Sequence, residues 1–244
     1  MNYKPELSKH LKTQCVIIQR LLQPASNEAI GTSVHKLRMA TRRVRSILWL
    51  LERSSQKLRF ARLDSDLRRL GKALGSVREL DVAMLDADHY GIEPGPIDTR
   101  RVAANRQLKK ALSLPRRTAL LRRLSELRNS VRAQHSISLT SVRKRLRARM
   151  KHLKKKPIHG QARLHRLRIS MKWTQYALEA MGSSVKPIRR LQCVLGDAHD
   201  LEFLHSTIGK SSKLRKKQYA LNKKSARLVI PVLEFAAGQL KKCS

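Results

Sequence analysis

Residues 34–45 read VHKLRMATRRVR, and residues 164–175 read LHRLRISMKWTQ. In each, a histidine is followed three residues on by an arginine and seven residues on by another cation: His35, Arg38 and Arg42, then His165, Arg168 and Lys172. Guanidinium groups hold phosphate oxygens through paired N–H donors, and ammonium groups hold them as point charges. An imidazole beside phosphate has its protonated form favoured. On a helix turning about 100° per residue, His35, Arg38, Arg42 and Arg45 fall within an arc of about 80°. Leu37, Ala40, Val44, Leu48 and Leu51 gather opposite them. The second stretch repeats the arrangement, with His165, Arg168 and Lys172 on one side and Leu167, Thr174, Ala177, Leu178 and Met181 on the other. Neither arc contains an acid. Solvated helix faces mix signs, because each like-charged neighbour costs about 0.2–0.5 kcal/mol. A cationic row written twice at one spacing predicts a phosphate-rich ligand lying along it.

A second phrase also recurs. Leu74-Gly75-x-x-Arg78-Glu79-Leu80-Asp81 matches Leu195-Gly196-x-x-His199-Asp200-Leu201-Glu202. Lys72 precedes the first copy on its polar side, and Arg189 and Arg190 precede the second. The carboxylates Glu79, Asp81, Asp200 and Glu202 could hold a metal, exchange protons, or orient arginines on a neighbouring helix. Orientation is the favoured reading, since a mostly basic bundle needs fixed counter-charges to aim its side chains. Gly75 and Gly196, each costing about 1 kcal/mol in a helix interior, predict close helix approach.

These residues must be carried by helices. Apolar positions at steps of three and four predict helices over 5–22, from 29 or 33 to 52, over 56–88, and over 98–134 with an interruption near Pro115. Further helices are expected over 141–155, 161–181, 186–207 and 211–239, the last kinked or divided at Pro231. QPASN, HYGIEPGP and KPIHG are the breakers, and Glu52 and Glu179 close the apolar runs of the two histidine helices. The two phrases recur at offsets of 130 and 121 residues, which predicts two four-helix units related by duplication, 1–134 and 135–244, within one all-α domain spanning 1–244.

Composition narrows the ligand. Fifty-four Lys and Arg stand against 17 Asp and Glu, a formal charge of +37, and the core must be aliphatic because aromatics make up only 4%. Such a surface seeks polyanions. Nucleic acid is the main alternative, as a sequence-independent RNA or DNA binder. It predicts aromatic platforms or a recognition motif, and no helix-turn-helix, zinc finger or RNP pattern is present, leaving weak non-specific binding. A metal-dependent phosphohydrolase is a lesser alternative: His199-Asp200 forms an HD pair, but Asp197 and His205 are poor further ligands. No Walker A loop or nucleophile elbow occurs, so no enzyme, metal or cofactor is expected. Cys15, Cys193 and Cys243 are too few and too dispersed for a disulfide framework or a zinc site. With no apolar signal core and no run of 18 apolar residues, the expectation is a cytoplasmic protein without membrane attachment.

The phrases VHKLRMATRRVRSILWLLE, LGSVRELDV, LHRLRISMKWTQYALE and LQCVLGDAHDLEFL resemble the CHAD family, the conserved histidine α-helical domain, and the resemblance covers almost the whole chain. It implies two four-helix bundles related by pseudo-twofold symmetry and a basic pore or groove between them that binds inorganic polyphosphate. Association with polyphosphate granules is a further expectation. By position, the ligand-facing set is His35, Arg38, Arg42, Arg45, Arg78, His165, Arg168, Lys172 and His199. The helix-face reading adds Lys72 and Arg189. Gln175 stands where the first copy has Arg45, and His199 stands where the family more usually has arginine. The second half is therefore expected to grip phosphate less strongly, or in a pH-dependent way.

Overall fold

The computed structural model describes residues 5–22, 30–51, 57–93, 95–133, 139–154, 161–208 and 212–242. Glu52, Cys243 and the QPASN and KPIHG breakers lie outside them. All regular structure among the described residues is helical: α1 (Pro5–Leu21), α2 (Ile30–Leu51), α3 (Lys57–Tyr90), α4 (Gly95–Ala111), α5 (Leu114–Ala133), α6 (Leu139–Lys154), α7 (Gln161–Ala180), α8 (Lys186–Ile208) and α9 (Ser212–Lys242). None of these helices is long and apolar enough to cross a membrane. The chain divides into two compact units, residues 1–137 and 138–244.

In the first unit α2 packs between α1 and α3, α4 lies on α3, and α5 packs against α1 and α3. Every third or fourth residue supplies the core: Leu7, Leu11, Cys15 and Ile18 from α1, Leu37, Val44 and Ile47 from α2, Leu63, Leu67, Leu74 and Val77 from α3, and Leu124 and Leu127 from α5, all essentially excluded from water. Leu74→Ala would remove about 2–5 kcal/mol through lost burial and the cavity left behind. Burial among these side chains pushes the Cys15 thiol up to about 12 despite the lowering influence of Arg128. The segment read as one interrupted helix from 98 to 134 is two helices. The break falls at residues 112–113, and Pro115 sits in the first turn of α5, where a missing N–H sacrifices no internal bond.

In the second unit α9 packs against α6, α7 and α8, and α7 packs on α8. Its core draws on Leu146, Leu167, Met171, Leu178, Ile188, Leu191, Leu204, Val229, Leu233 and Leu240. Pro231 does not divide α9, which runs unbroken from Ser212 to Lys242. The proline lies on the exposed side of the helix, where the carbonyl deprived of its N–H partner can turn to water.

Two helices end on left-handed glycines. Gly91 (φ 63°) closes α3 with Ile92 N–H donating to the Ala87 carbonyl at 2.8 Å, and Gly182 (φ 71°) closes α7 with Ser183 N–H donating to the Leu178 carbonyl at 2.9 Å. Both are Schellman ends, in which the positive φ returns the chain so that orphan carbonyls find donors. In this way α3 and α7 stop where the next helix must begin.

Candidate functional site: cationic helix faces in each unit

The first unit builds its face on α2 and α3. Leu37, Ala40 and Val44 turn inward, which leaves His35 exposed and Arg42 and Arg45 half-buried along the opposite side. Arg38 is drawn further in, to 9% exposure. Its guanidinium donates to Glu79 Oε1 on α3 at 3.2 Å. It also runs over Gly75: a Cβ placed there would sit 3.6 Å from both Nε and Nη2 of Arg38. Close approach at Gly75 is therefore made by a guanidinium rather than by another helix backbone. At Gly196 an added Cβ would meet nothing within 4 Å among the described residues, and the close approach expected there is not made by any of them.

Arg45 donates through Nε to Asp64 Oδ1 at 2.8 Å, and Arg68, one turn along α3, donates to Oδ2 of the same carboxylate at 3.3 Å. Asp66 is shared by Arg69 and Arg123. Asp81 accepts from Arg101 Nε on α4 at 2.9 Å, so it aims an arginine away from the α2 row. Between Arg38 and Arg45, Arg42 differs. Its Nη1 is buried and has no hydrogen-bond acceptor among the described residues. A charged donor in that position carries the full cost of desolvation until an anion reaches it, about 1–3 kcal/mol or more. Lys72 is exposed on α3, and Arg78 is half-buried there.

The second unit builds its face on α7 and α8. His165 and His199 lie with ring centroids 5.0 Å apart, tilted by 47°. They share a small pocket with Arg168, Glu202 and Asn222, walled by Leu164, Leu195 and Ala198. Gln192 donates to the Arg168 backbone carbonyl at 3.0 Å, tying α8 to α7 below the pocket. Arg189 is not at this pocket. It donates to Glu179 Oε1 from Nε at 3.2 Å and from Nη2 at 2.8 Å, and Gln175 donates to the same oxygen at 3.0 Å. Lys172 is half-buried on α7, and Asp200 half-buried on α8. Among the described residues no group of three or more His, Cys, Asp or Glu side chains gathers where a metal could be held.

The sequence reading thus named both rows, and the structure brings His165, Arg168, His199 and Glu202 to one pocket and Arg38 to Glu79. It missed the carboxylates that hold Arg45 and Arg189. Asp64 carried one signal, its position four residues before Arg68. Glu179 was read as a helix terminus, although its place four residues after Gln175 offered the same kind of clue. Asn222 reaches the pocket from α9 and had no signal at all.

An all-α protein with arginine and histidine rows on paired amphipathic helices is the class defined so far. The chain matches the CHAD domain over residues 19–209 and belongs to that family. Its fold is similar to that of PptA from Streptomyces chartreusis, at 15% identity and a TM-score of 0.66, with 97% of this chain and 98% of that chain covered. It is also similar to the crystal structure of the CHAD domain from the plant Ricinus communis, at 22% identity and a TM-score of 0.61, covering 97% of this chain and 86% of the other. No curated protein matches the sequence.

Proposed function

We propose that the chain is a non-catalytic binder of inorganic polyphosphate, using the α2 and α7 rows as two phosphate-contacting faces. The observation that carries this reading is Arg42. It sits on an acid-free helix face between two arginines already aimed by carboxylates, with a buried N–H donor that lacks an acceptor. A linear polymer of phosphates supplies acceptors at every unit and no bases or sugars to accommodate. Family membership, the repeated His-x-x-Arg spacing and the His165–Arg168–His199 pocket support the same ligand. Two faces of like chemistry in one chain favour long polymers over short ones through multivalency. Binding of this kind suits a cytoplasmic protein that associates with polyphosphate granules.

The test is a competition at about 150 mM salt, where diffuse attraction is strongly reduced. Labelled long-chain polyphosphate is challenged with duplex DNA and with single-stranded RNA at equal phosphate concentration. Retention of polyphosphate against both is the expected result. Displacement by either nucleic acid at equal phosphate would remove the dedicated site. Arg42→Ala should weaken polyphosphate binding by about ten- to a hundredfold, the range for losing a charge-assisted contact. Lys144→Ala, on the exposed side of α6, should change it by less than about twofold.

A further inference from the structure

Helix α9 carries a face that the polyphosphate reading leaves unused. Arg215, Lys216, Lys223, Lys224 and Arg227 are exposed along it, and none has an ion-pair or hydrogen-bond partner among the described residues. Amid these cations stands Tyr219, 71% exposed and the most exposed of the large apolar side chains among the described residues. The buried stripe of the helix, Leu214, Gln218, Ser225, Val229 and Val232, fixes its rotation and so keeps this face outward. On the wheel, Arg215 is four residues before Tyr219, Lys216 three before, and Lys223 four after, so all three are helical neighbours of the ring. Ile230, 55% exposed, continues the tyrosine's edge three turns along. The single acid of α9 is Glu234, beyond the row.

A solvated face alone does not account for this composition. Lys223 and Arg227 are like charges at i and i+4, as are Lys224 and Arg227 at i and i+3, and each such pair is unfavourable. An exposed aromatic ring also costs apolar hydration that a lysine or glutamine in its place would avoid. Polyphosphate would use the cations but has no flat group to lay on the ring. A duplex would meet the cations with its phosphates and keep its bases stacked away from the tyrosine. One polyanion uses both features: a single strand, whose unstacked bases lie on aromatic side chains while flanking phosphates meet lysine and arginine.

We infer that the outward face of α9 is a sequence-tolerant binding surface for single-stranded nucleic acid, with Tyr219 as its stacking platform and Lys216 and Lys223 as the flanking phosphate contacts. This surface is distinct from the α2 and α7 rows, and it stands or falls independently of them. Arg215 also lies within reach of the ring edge, and Arg227 extends the phosphate track toward the C-terminal half of the helix.

The test uses the full chain and a fluorescently labelled single-stranded oligouridine, followed by anisotropy at about 150 mM salt, beside labelled long-chain polyphosphate. Tyr219→Ala should weaken oligouridine binding by about tenfold, while Tyr219→Trp retains or improves it, as stacking requires. The Lys216→Glu, Lys223→Glu double variant should weaken it further and flatten its salt dependence. All three should leave polyphosphate binding within twofold, and Arg42→Ala should leave oligouridine binding within twofold. Tyr219 is so exposed that its loss leaves the core untouched, and circular dichroism checks this. Unchanged oligouridine affinity in Tyr219→Ala overturns the inference. So does equal affinity for a duplex of the same phosphate content. Matching losses of polyphosphate and oligouridine in the α9 variants would make the face a second polyphosphate contact instead. Tyrosine-dependent sedimentation with phosphatidylserine vesicles, with no effect on oligouridine, would make it a membrane-facing surface.

Discussion

The two histidine helices begin from the same spacing and end in different chemistry. On α2, acids from the neighbouring helix hold the row: Glu79 takes Arg38 and Asp64 takes Arg45, both from α3. On α7, the acid belongs to the row's own helix. Glu179 draws Arg189 across from α8 and takes the amide of Gln175, the residue standing where α2 has Arg45. What remains at the N-terminal end of α7 is a pair of imidazoles beside one arginine and one carboxylate. One substitution, arginine to glutamine, thus accompanies a reversal in which helix supplies the counter-charge. The first unit offers a row of guanidiniums, and the second offers two imidazoles gathered around a single guanidinium. Two helices can share a spacing without sharing electrostatics, because spacing is set by the helical core and charge only by the partners met across the interface.

The largest expected effect separates the two rows directly. Arg38→Ala removes a guanidinium fixed on the α2 face and should lower polyphosphate affinity at least about tenfold. Arg189→Ala removes a largely exposed one already committed to Glu179 and should lower it less than about threefold. Equal losses by titration calorimetry would erase the distinction between the faces.

The next effect is on stability. The Glu179 carboxylate is only 9% exposed and serves two donors, so Glu179→Ala should destabilise the fold by about 1–2 kcal/mol in urea unfolding. Asp64→Ala acts on a more open carboxylate and should cost about 1 kcal/mol or less. The reverse ranking would mean that the α2–α3 clamp, not the α7–α8 one, is structural.

A smaller effect concerns the paired imidazoles. Each ring N–H can donate to a phosphate oxygen, so His165→Ala with His199→Ala should weaken polyphosphate binding about threefold, with Arg168 and Glu202 still in place. His35→Ala, a single exposed histidine on α2, should change it by less than about twofold. Equal losses by titration calorimetry would mean that the pairing of the two rings adds nothing.

The smallest readout concerns the thiols. With its pKa pushed up to about 12 by burial, Cys15 holds almost no thiolate at pH 8 and should react with an aromatic disulfide only after unfolding. Exposed Cys193 should react at once in a Cys243→Ser chain.

Much of the fold could be read in advance, because aliphatic residues at steps of three and four leave little choice of period or inward face. Leu63, Leu67, Leu70, Leu74 and Val77 point α3 unambiguously. The cationic rows were legible for the same reason, being what the apolar stripes leave outside. The carboxylate partners were not. Asp64 lies 19 residues from Arg45, and their meeting depends on how far α3 slides along α2, a register that no local spacing encodes. Pro231 does not divide its helix: its cost is local, and the buried stripe on both sides of it prevailed. Tyr219 was counted among the few aromatics of a basic chain, and only the rotation of α9 puts it outside.

Gly75 and Gly196 bear on how much heat the protein can withstand. Neither has a positive φ, and an added methyl would find ordinary contact with Arg38 at the first and open space at the second. Both positions sit inside long helices, where alanine is favoured over glycine by about 1 kcal/mol. The chain therefore tolerates a loosening in the middle of α3 and of α8 that its packing does not demand. Gly196→Ala should raise the melting temperature by a few degrees. At Gly75 the same methyl would also restrict the swing of the Arg38 guanidinium, so thermal tolerance gained there would come with a stiffer arginine arm.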